Sequence, residues 1–230
     1  MQGEENMPCI PRLCLDYVRK NANGHPVVVL TDKNLNHYAQ LPEHILRLYR
    51  KGRFTTTHLS DFVRLALLAK HGGLWVDATL LVTRPLPDDI FNVPFFTVKN
   101  PPFGHFPGEC RWTGFCLAAW KNHPLIVNAY RLLVGYWRHE ETQIDYFLID
   151  FIFDLLYHTD PASHQAVDAV PYSNQGIHCL EPLLPRKYDT AQLTELMHSN
   201  YLFKLSWKTH SEADLTRDSE SLYNHLLNNG

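Results

Sequence analysis

The sequence lacks an apolar run long enough to span a membrane, and its charge is close to balanced. A membrane helix needs roughly 18 to 20 successive apolar residues, and no stretch of the chain approaches that length. The N-terminus has neither the basic nor the apolar region of a signal peptide, so we expect a cytoplasmic protein. The formal net charge of −3 argues against a general nucleic-acid binder, which would carry an excess of Lys and Arg.

Cysteine and histidine form no metal-binding pattern. The five cysteines are odd in number and have no Cys-x-x-Cys spacing, which favours neither a zinc site nor a disulfide framework. The histidines are scattered, with no His-x-x-x-His pair on a helix. The 230 residues suffice for one α/β domain or two small ones, and we predict a single domain over residues 1–230.

The most informative stretch, residues 60–81, combines a helix pattern with a buried strand pattern. Thr57 or Ser60 is predicted to cap a helix of about 12 to 14 residues, which Gly72-Gly73 ends. The run 74–82 then has the continuous apolar character of a strand that is covered on both faces. Asp77 interrupts this run.

A carboxylate within such a strand calls for a functional explanation. It is costly there unless it is paired, binds a metal, or lies at the open end of the strand beside a ligand. Side chains alternate along a strand, so Asp77 and Thr79 share one face and can offer a carboxylate and a hydroxyl to the same ion or sugar. On the preceding helix, Ser60, Asp61 and Arg64 line one edge.

These residues also have structural explanations. Asp61 is an acid near the start of a helix and a natural ion-pair partner for Arg64. Asp77 is then an acid at a strand end facing solvent, Thr79 a common strand residue, and Trp75 a core residue.

Periodicity and turn residues predict the remaining elements. The predicted helices are 10–18, 41–51, 124–139, 144–157 and 211–227, and the predicted strands are 27–30, 95–99 and 201–207. Proline, glycine and phenylalanine in the stretch 100–108 favour a loop of the kind that forms a substrate lid.

The central stretch resembles a known family. The pattern Ser60-Asp61-x-x-Arg64, followed by a helix and by Gly72-Gly73-x-Trp75-x-Asp77-Ala78-Thr79, is similar to the core of the capsular polysaccharide synthesis proteins. These proteins are related to glycosyltransferase family 32 and, more distantly, to the large clostridial glucosylating toxins. Other segments resemble the family in the same order: Gln2-Gly3-Glu4-Glu5-Asn6-x-Pro8, Asp145-Tyr146-Phe147 and Lys204-Leu205-Ser206-Trp207-Lys208.

The resemblance implies an α/β fold of the GT-A type, Rossmann-like, with a mixed central sheet and flanking helices. It implies transfer of a sugar from a nucleotide-sugar donor, with UDP favoured, to a polysaccharide, a lipid-linked glycan or another acceptor. Retention of configuration and assistance by a divalent metal, Mn²⁺ or Mg²⁺, belong to the same expectation. Lipid-linked acceptors leave peripheral association with the inner face of the membrane open.

The resemblance also assigns roles to individual residues. Asp61 would bind ribose or sugar hydroxyls, Arg64 the donor sugar or phosphates, and Asp77 the metal and the ribose. Thr79 stands where related enzymes carry a second Asp, and a neutral hydroxyl is a weaker ligand for a hard cation. The further candidates are Ser60, Gly73, Trp75, Lys204, Trp207 and Lys208 for donor binding, Asp145 for catalysis, and His210 as a third metal ligand.

Two departures keep alternatives open. In the family, a strand of the type Ile-Trp-x-x-Trp precedes Gln-Gly, whereas Met1 directly precedes Gln2 here, so the chain either starts downstream of the true start or lacks that strand. With the neutral Thr79, this leaves open a catalytically silent relative that binds a nucleotide-sugar or a partner protein. A glycoside hydrolase is a third reading, with Asp88-Asp89 as its only obvious acid pair.

Overall fold

The structure, a computed structural model, describes residues 3–99 and 107–229. The helices are α1 (Cys9–Lys20), α2 (Leu35–Tyr38), α3 (Glu43–Arg50), α4 (Thr56–His71), α5 (Asp89–Asn92), α6 (Pro124–His139), α7 (Leu148–Thr159), α8 (Pro161–Asp168), α9 (Thr190–Ser199), α10 (Glu212–Thr216) and α11 (Leu222–Asn229). The strands are β1 (Gly73–Val76), β2 (Leu80–Val82), β3 (Phe95–Thr97), β4 (Cys116–Ala119) and β5 (Leu202–Lys204). This mixed α/β composition agrees with the predicted class.

The chain divides into two units. Within the described residues, the first unit comprises 30–75, 89–99 and 107–172, and the second comprises 3–29, 76–88 and 173–229. The chain therefore passes from the first unit to the second directly after Trp75. The prediction of one domain over residues 1–230 stays a prediction.

The first unit combines a small sheet with a helical core. Its three-stranded sheet has the order β1-β4-β3, and β3 and β4 are antiparallel. Helix α4 packs on α6 and α6 on α7. Phe62 and Leu65 on α4 and Leu125 and Ile126 on α6 are almost completely buried, because each pair lies on the apolar face of its helix. Pro124 opens α6, where its fixed φ and missing N–H suit the first helical turn.

The turn after α4 is fixed by glycine. Gly72 has φ 72° and ψ −159°, a combination that is almost exclusive to glycine. A Cβ atom at this position would lie 2.7 Å from the Lys121 backbone N and 2.9 Å from the Ala119 carbonyl O. The predicted glycine stop is confirmed, and the close approach holds the start of β1 against the end of β4.

The second unit is built on the antiparallel pair β2–β5. Leu80, Leu81 and Val82 are completely buried, as expected for a strand covered on both faces. Helix α1 packs on β2 and contributes Ile10 and Leu13 to the core, in agreement with the predicted helix over 10–18. The described strands thus form two small sheets, and the GT-A arrangement stays a prediction.

Two strand predictions are wrong. The predicted strand 74–82 is broken at 77–79, where the Leu80 N–H donates to the Asp77 carbonyl at 2.9 Å and closes a turn. The segment 27–30 is not a strand. Its valines have high β propensity, but propensity expresses the fit to a half-buried pleated surface, and Val28 is 47% exposed.

Helix ends also differ from the predictions. The N-cap of α4 is Thr55, and Thr57 and Ser60 lie inside the helix, because successive threonines offer equivalent starting points. The helix predicted over 144–157 begins at Leu148, since the Asp145 side chain accepts a hydrogen bond from the Phe147 N–H at 2.8 Å and favours a turn.

Two C-terminal elements and one helix start differ from the predictions. The strand predicted over 201–207 ends at Lys204. The helix predicted over 211–227 is two helices, α10 and α11, separated at buried Ser221, whose hydroxyl donates to the Leu215 carbonyl at 2.9 Å. The helix 41–51 starts at Glu43, after the N-cap Pro42.

The other helix and strand predictions are confirmed at or near their bounds. Helix α6 has the predicted bounds, and β3 lies within the predicted 95–99. Residues 100–106 of the predicted lid lie outside the described residues. Within the parts of the chain that the structure describes, no helix is long and apolar enough to cross a membrane.

Candidate functional site

The first group of candidate residues lies on α4 in the first unit. Arg64 Nη1 donates to Asp61 Oδ1 at 2.9 Å, and the two side chains are 6% and 15% exposed. The guanidinium also lies over the Trp75 ring, 5.3 Å from its centroid. A charge pair with so little exposure is costly to desolvate, so a positioned guanidinium here is more than a surface ion pair.

A glycine and a second acid complete this group. A Cβ at Gly114 would lie 2.7 Å from Arg64 Nη1, so the missing side chain makes room for the guanidinium. Asp150, near the start of α7, accepts a hydrogen bond from Trp112 Nε1 at 3.0 Å. Burial raises the pKa of Asp150 above its usual value, while the Trp112 hydrogen bond and the charge of Arg64 act in the opposite direction.

The sequence interpretation did not include Asp150, Trp112 or Gly114. A signal for Asp150 was present, because it interrupts the apolar run 148–153 in the same way that Asp77 interrupts 74–82. Nothing local marks Trp112 or Gly114, since their roles depend on contacts with residues far away in the chain.

The second group lies in the second unit, at the turn 77–79. Lys204 Nζ donates to Thr79 Oγ1 at 2.5 Å and lies 3.4 Å from Asp77 Oδ2. The Lys204 and Asp77 side chains are 22% and 28% exposed, and Thr79 is buried. One ammonium therefore lies against both the carboxylate and the hydroxyl that the sequence pattern singled out.

The backbone of the second unit places Lys204 at this turn. In the antiparallel β2–β5 register, Leu80 is opposite Lys204. The Leu205 N–H donates to the Thr79 carbonyl at 2.8 Å, and the Lys204 N–H donates to the Ile177 carbonyl at 2.7 Å. Because these hydrogen bonds hold the main chain on both sides of the ammonium, its position follows from the strand pairing.

Two further titratable groups lie near Lys204. Burial lowers the pKa of His178, and the positive charge of Lys204 lowers it further. Burial raises the pKa of the Cys14 thiol. Both effects favour the neutral forms of His178 and Cys14 near pH 7, so neither side chain adds a charge beside Lys204.

The remaining C-terminal candidates lie on the segment after β5. His210 Nε2 lies 3.8 Å from Glu181 Oε1, and Glu181 Oε2 accepts the Ser206 N–H at 2.9 Å. Trp207 is 54% exposed, and Lys208 Nζ lies 5.4 Å from the centroid of its ring. The structure thus places His210 against Glu181 and leaves Trp207 and Lys208 largely in solvent.

The other predicted residues make local contacts. Ser60 Oγ donates to the Thr57 carbonyl at 2.5 Å, Gly73 has φ 93°, and exposed Asp145 holds the turn before α7. Among the described residues, no group of three or more His, Cys, Asp and Glu side chains is arranged to bind a metal.

The two groups share one chemical property. Each presents a positioned cation next to a carboxylate: a guanidinium beside Asp61, and an ammonium beside Asp77. Guanidinium and ammonium groups recognise phosphate oxygens, and adjacent carboxylates accept hydrogen bonds from sugar hydroxyls. Each group, taken by itself, can therefore bind a phosphate or a sugar hydroxyl.

Comparison with known proteins agrees with this chemistry. The family model described as "Capsular polysaccharide synthesis protein" matches residues 1–226. A curated protein from Phomopsis amygdali, "O-glycosyltransferase PaGT", is 29% identical over 137 residues, which cover 54% of this chain and 34% of that protein. The chain thus matches about a third of that relative's length. No solved structure matches the chain.

Proposed function

Because the chain belongs to the capsular polysaccharide synthesis protein family, we propose that it is a glycosyltransferase that moves a sugar from a nucleotide-sugar donor to a glycan or another acceptor. The relative named as an O-glycosyltransferase supports this activity. Because the match covers only part of that relative, the same activity in this chain is a proposal.

The observation that carries the proposal is the turn of Asp77, Thr79 and Lys204. When a sugar is transferred, the nucleoside diphosphate leaves with additional negative charge. An ammonium held in advance by Asp77 and Thr79 stabilises that charge without having to reorganise during the reaction. In this proposal Lys204 binds the diphosphate, and Asp77 also accepts a hydrogen bond from a donor hydroxyl.

Arg64 is the donor-binding candidate of the first unit. Its guanidinium is held by Asp61 and the Trp75 ring, and Gly114 leaves room for it. The fork of N–H groups on the guanidinium therefore has one orientation. Such a fork matches the oxygens of a phosphate or the hydroxyls of a sugar. We assign Arg64 to donor binding on these grounds, independently of the assignment of Lys204.

The reaction's finer features remain part of the proposal. The resemblance favours UDP as the nucleotide and retention of configuration. We propose attack by the acceptor on the same face from which the nucleotide leaves. A glycosyl adduct on a carboxylate, found by mass spectrometry of the intact protein, would contradict this and indicate a covalent intermediate.

A divalent metal does not fit the turn as it is arranged. Asp77 is its one carboxylate, Thr79 is neutral, and the Lys204 ammonium already lies against both. His210, the predicted third ligand, lies near Glu181. No step is therefore assigned to a metal, and the dependence on Mn²⁺ or Mg²⁺ that the resemblance implies conflicts with the residues at this turn.

The test is a turnover assay with a panel of UDP-sugars, with and without an oligosaccharide acceptor, in which release of UDP is measured. We expect turnover by the wild type and its loss in Asp77→Asn. Asp16→Asn is the matched control, because it removes an exposed carboxylate of the same unit that no proposal involves. Nucleotide binding without turnover would favour the silent relative, and loss of turnover in the control would contradict the role of Asp77.

A further inference from the structure

The Lys204 ammonium lies against oxygen atoms of the kind that bind a metal cation. Its Nζ lies 2.5 Å from the Thr79 hydroxyl oxygen and 3.4 Å from an Asp77 carboxylate oxygen. A carboxylate and a hydroxyl are oxygen ligands that a hard cation prefers. Here both are directed at a charge that is covalently part of the protein.

The charges at the turn are already balanced. Asp77 contributes one negative charge, Lys204 one positive charge and Thr79 none, so the three side chains are neutral together. A divalent cation held by Asp77 and Thr79, with Lys204 in place, would leave a net charge of +2 and two cations in close repulsion. A metal can therefore enter only if the ammonium leaves.

Strand pairing opposes that departure. Lys204 is the last residue of β5, opposite Leu80, and hydrogen bonds of the main chain fix both Lys204 and Leu205. Its side chain is mostly buried, which limits its alternative rotamers. The ammonium is thus delivered to the turn by the fold.

We propose that Lys204 takes the place of a divalent metal: its ammonium neutralises Asp77 and binds the diphosphate of the donor, so that donor binding needs no metal ion. Only the identity of the donor rests on the proposed function. The occupation of the cation position by Lys204 is a separate statement and is tested separately.

The first experiment uses the metal alone. Mn²⁺ is titrated into the protein, and free Mn²⁺ is measured by electron paramagnetic resonance. We expect no submillimolar site that depends on Asp77 in the wild type. The variant Thr79→Asp/Lys204→Met replaces the ammonium by an uncharged chain of similar length and adds a second carboxylate, so it should gain a Mn²⁺ site that Asp77→Asn removes.

Two results would overturn the proposal: a wild-type Mn²⁺ site abolished by Asp77→Asn, or no Mn²⁺ binding by the folded double variant. The first result is obtained with the wild type and Asp77→Asn, so it decides the question even if the double variant does not fold. Lys187→Met is the matched control, because Lys187 belongs to the same unit and pairs with Glu220 on the surface. The Lys187→Met variant should bind Mn²⁺ in the same way as the wild type.

The second experiment measures UDP binding by calorimetry in the presence of EDTA and then with excess Mn²⁺. We expect the same affinity in both and at least a tenfold loss in Lys204→Met, with none in Lys187→Met. UDP binding that requires Mn²⁺ would overturn the proposal. If UDP does not bind under any condition, the assigned donor fails, while the Mn²⁺ titration still decides whether Lys204 holds the cation position.

Discussion

Replacing Gly72 by alanine tests how α4 is joined to β1. Gly72 has φ 72° and ψ −159°, and an added Cβ would lie 2.7 Å from the Lys121 N and 2.9 Å from the Ala119 O. Both neighbours are backbone atoms, so no side chain can turn aside. The main chain of the turn or of the end of β4 would have to move.

The expected loss of stability has two parts. A backbone conformation nearly exclusive to glycine costs an alanine about 1–3 kcal/mol. An extra methyl group forced into filled space costs about 1–3 kcal/mol more. The free energy of unfolding of Gly72→Ala should therefore fall by roughly 2–6 kcal/mol.

Gly52→Ala is the matched control. Gly52 also has a positive φ, 70°, but a Cβ there would meet nothing within 4 Å. It should therefore lose only about 1–2 kcal/mol. Both variants replace glycine by alanine and lower the conformational entropy of the unfolded chain equally, so this effect cancels in the comparison. Urea unfolding followed by tryptophan fluorescence measures both, and equal losses would refute the argument from close approach.

Further predictions concern the group around Arg64. Arg64→Met should lower the free energy of unfolding by about 3–5 kcal/mol, because it leaves the Asp61 carboxylate without this guanidinium in a site of low exposure. In urea unfolding, the double variant Asp61→Asn/Arg64→Met should lose less stability than the sum of the two single variants. Strictly additive losses would show that the pair is not coupled. Asp150 has a raised pKa in the fold, so its stabilising contribution is present below the unfolded-state pKa and is lost as pH rises through the folded-state pKa. Asp150→Asn should therefore raise the melting temperature at pH 7 but not at acidic pH, and the reverse order would contradict the raised pKa.

Local sequence patterns predicted the parts of the fold that depend on neighbours in the chain. The spacing of Asp61 and Arg64 brings them together on α4, and Gly72 ends the helix where expected. These features arise within one helix or one turn, so a short window of sequence contains their cause.

The partner of Asp77 could not be predicted in this way. Lys204 meets Thr79 across 125 positions of sequence, and only the β2–β5 register decides which residue of β5 faces the turn. A shift by one residue would have pointed Lys204 to the other face. The family resemblance selected Lys204 as a donor-binding candidate but gave no sign of its contact with Asp77 and Thr79.

Long-range packing also decided where patterns were wrong. The strand predicted over 27–30 has the right composition, but the fold leaves Val28 almost half exposed. Gly114 has no local signature, since its role is set by the Arg64 side chain that occupies the space beside it. Composition and periodicity describe what a segment can form, and packing partners decide whether it does.

The most direct test of the account is calorimetric titration of UDP and UDP-glucose into the wild type, Asp77→Asn and Arg64→Met. We expect the wild type to bind both compounds and each variant to lose most of that affinity while remaining folded by circular dichroism. Wild-type protein that binds neither compound, or folded variants that bind as well as the wild type, would contradict the claim that these residues bind a nucleotide-sugar donor.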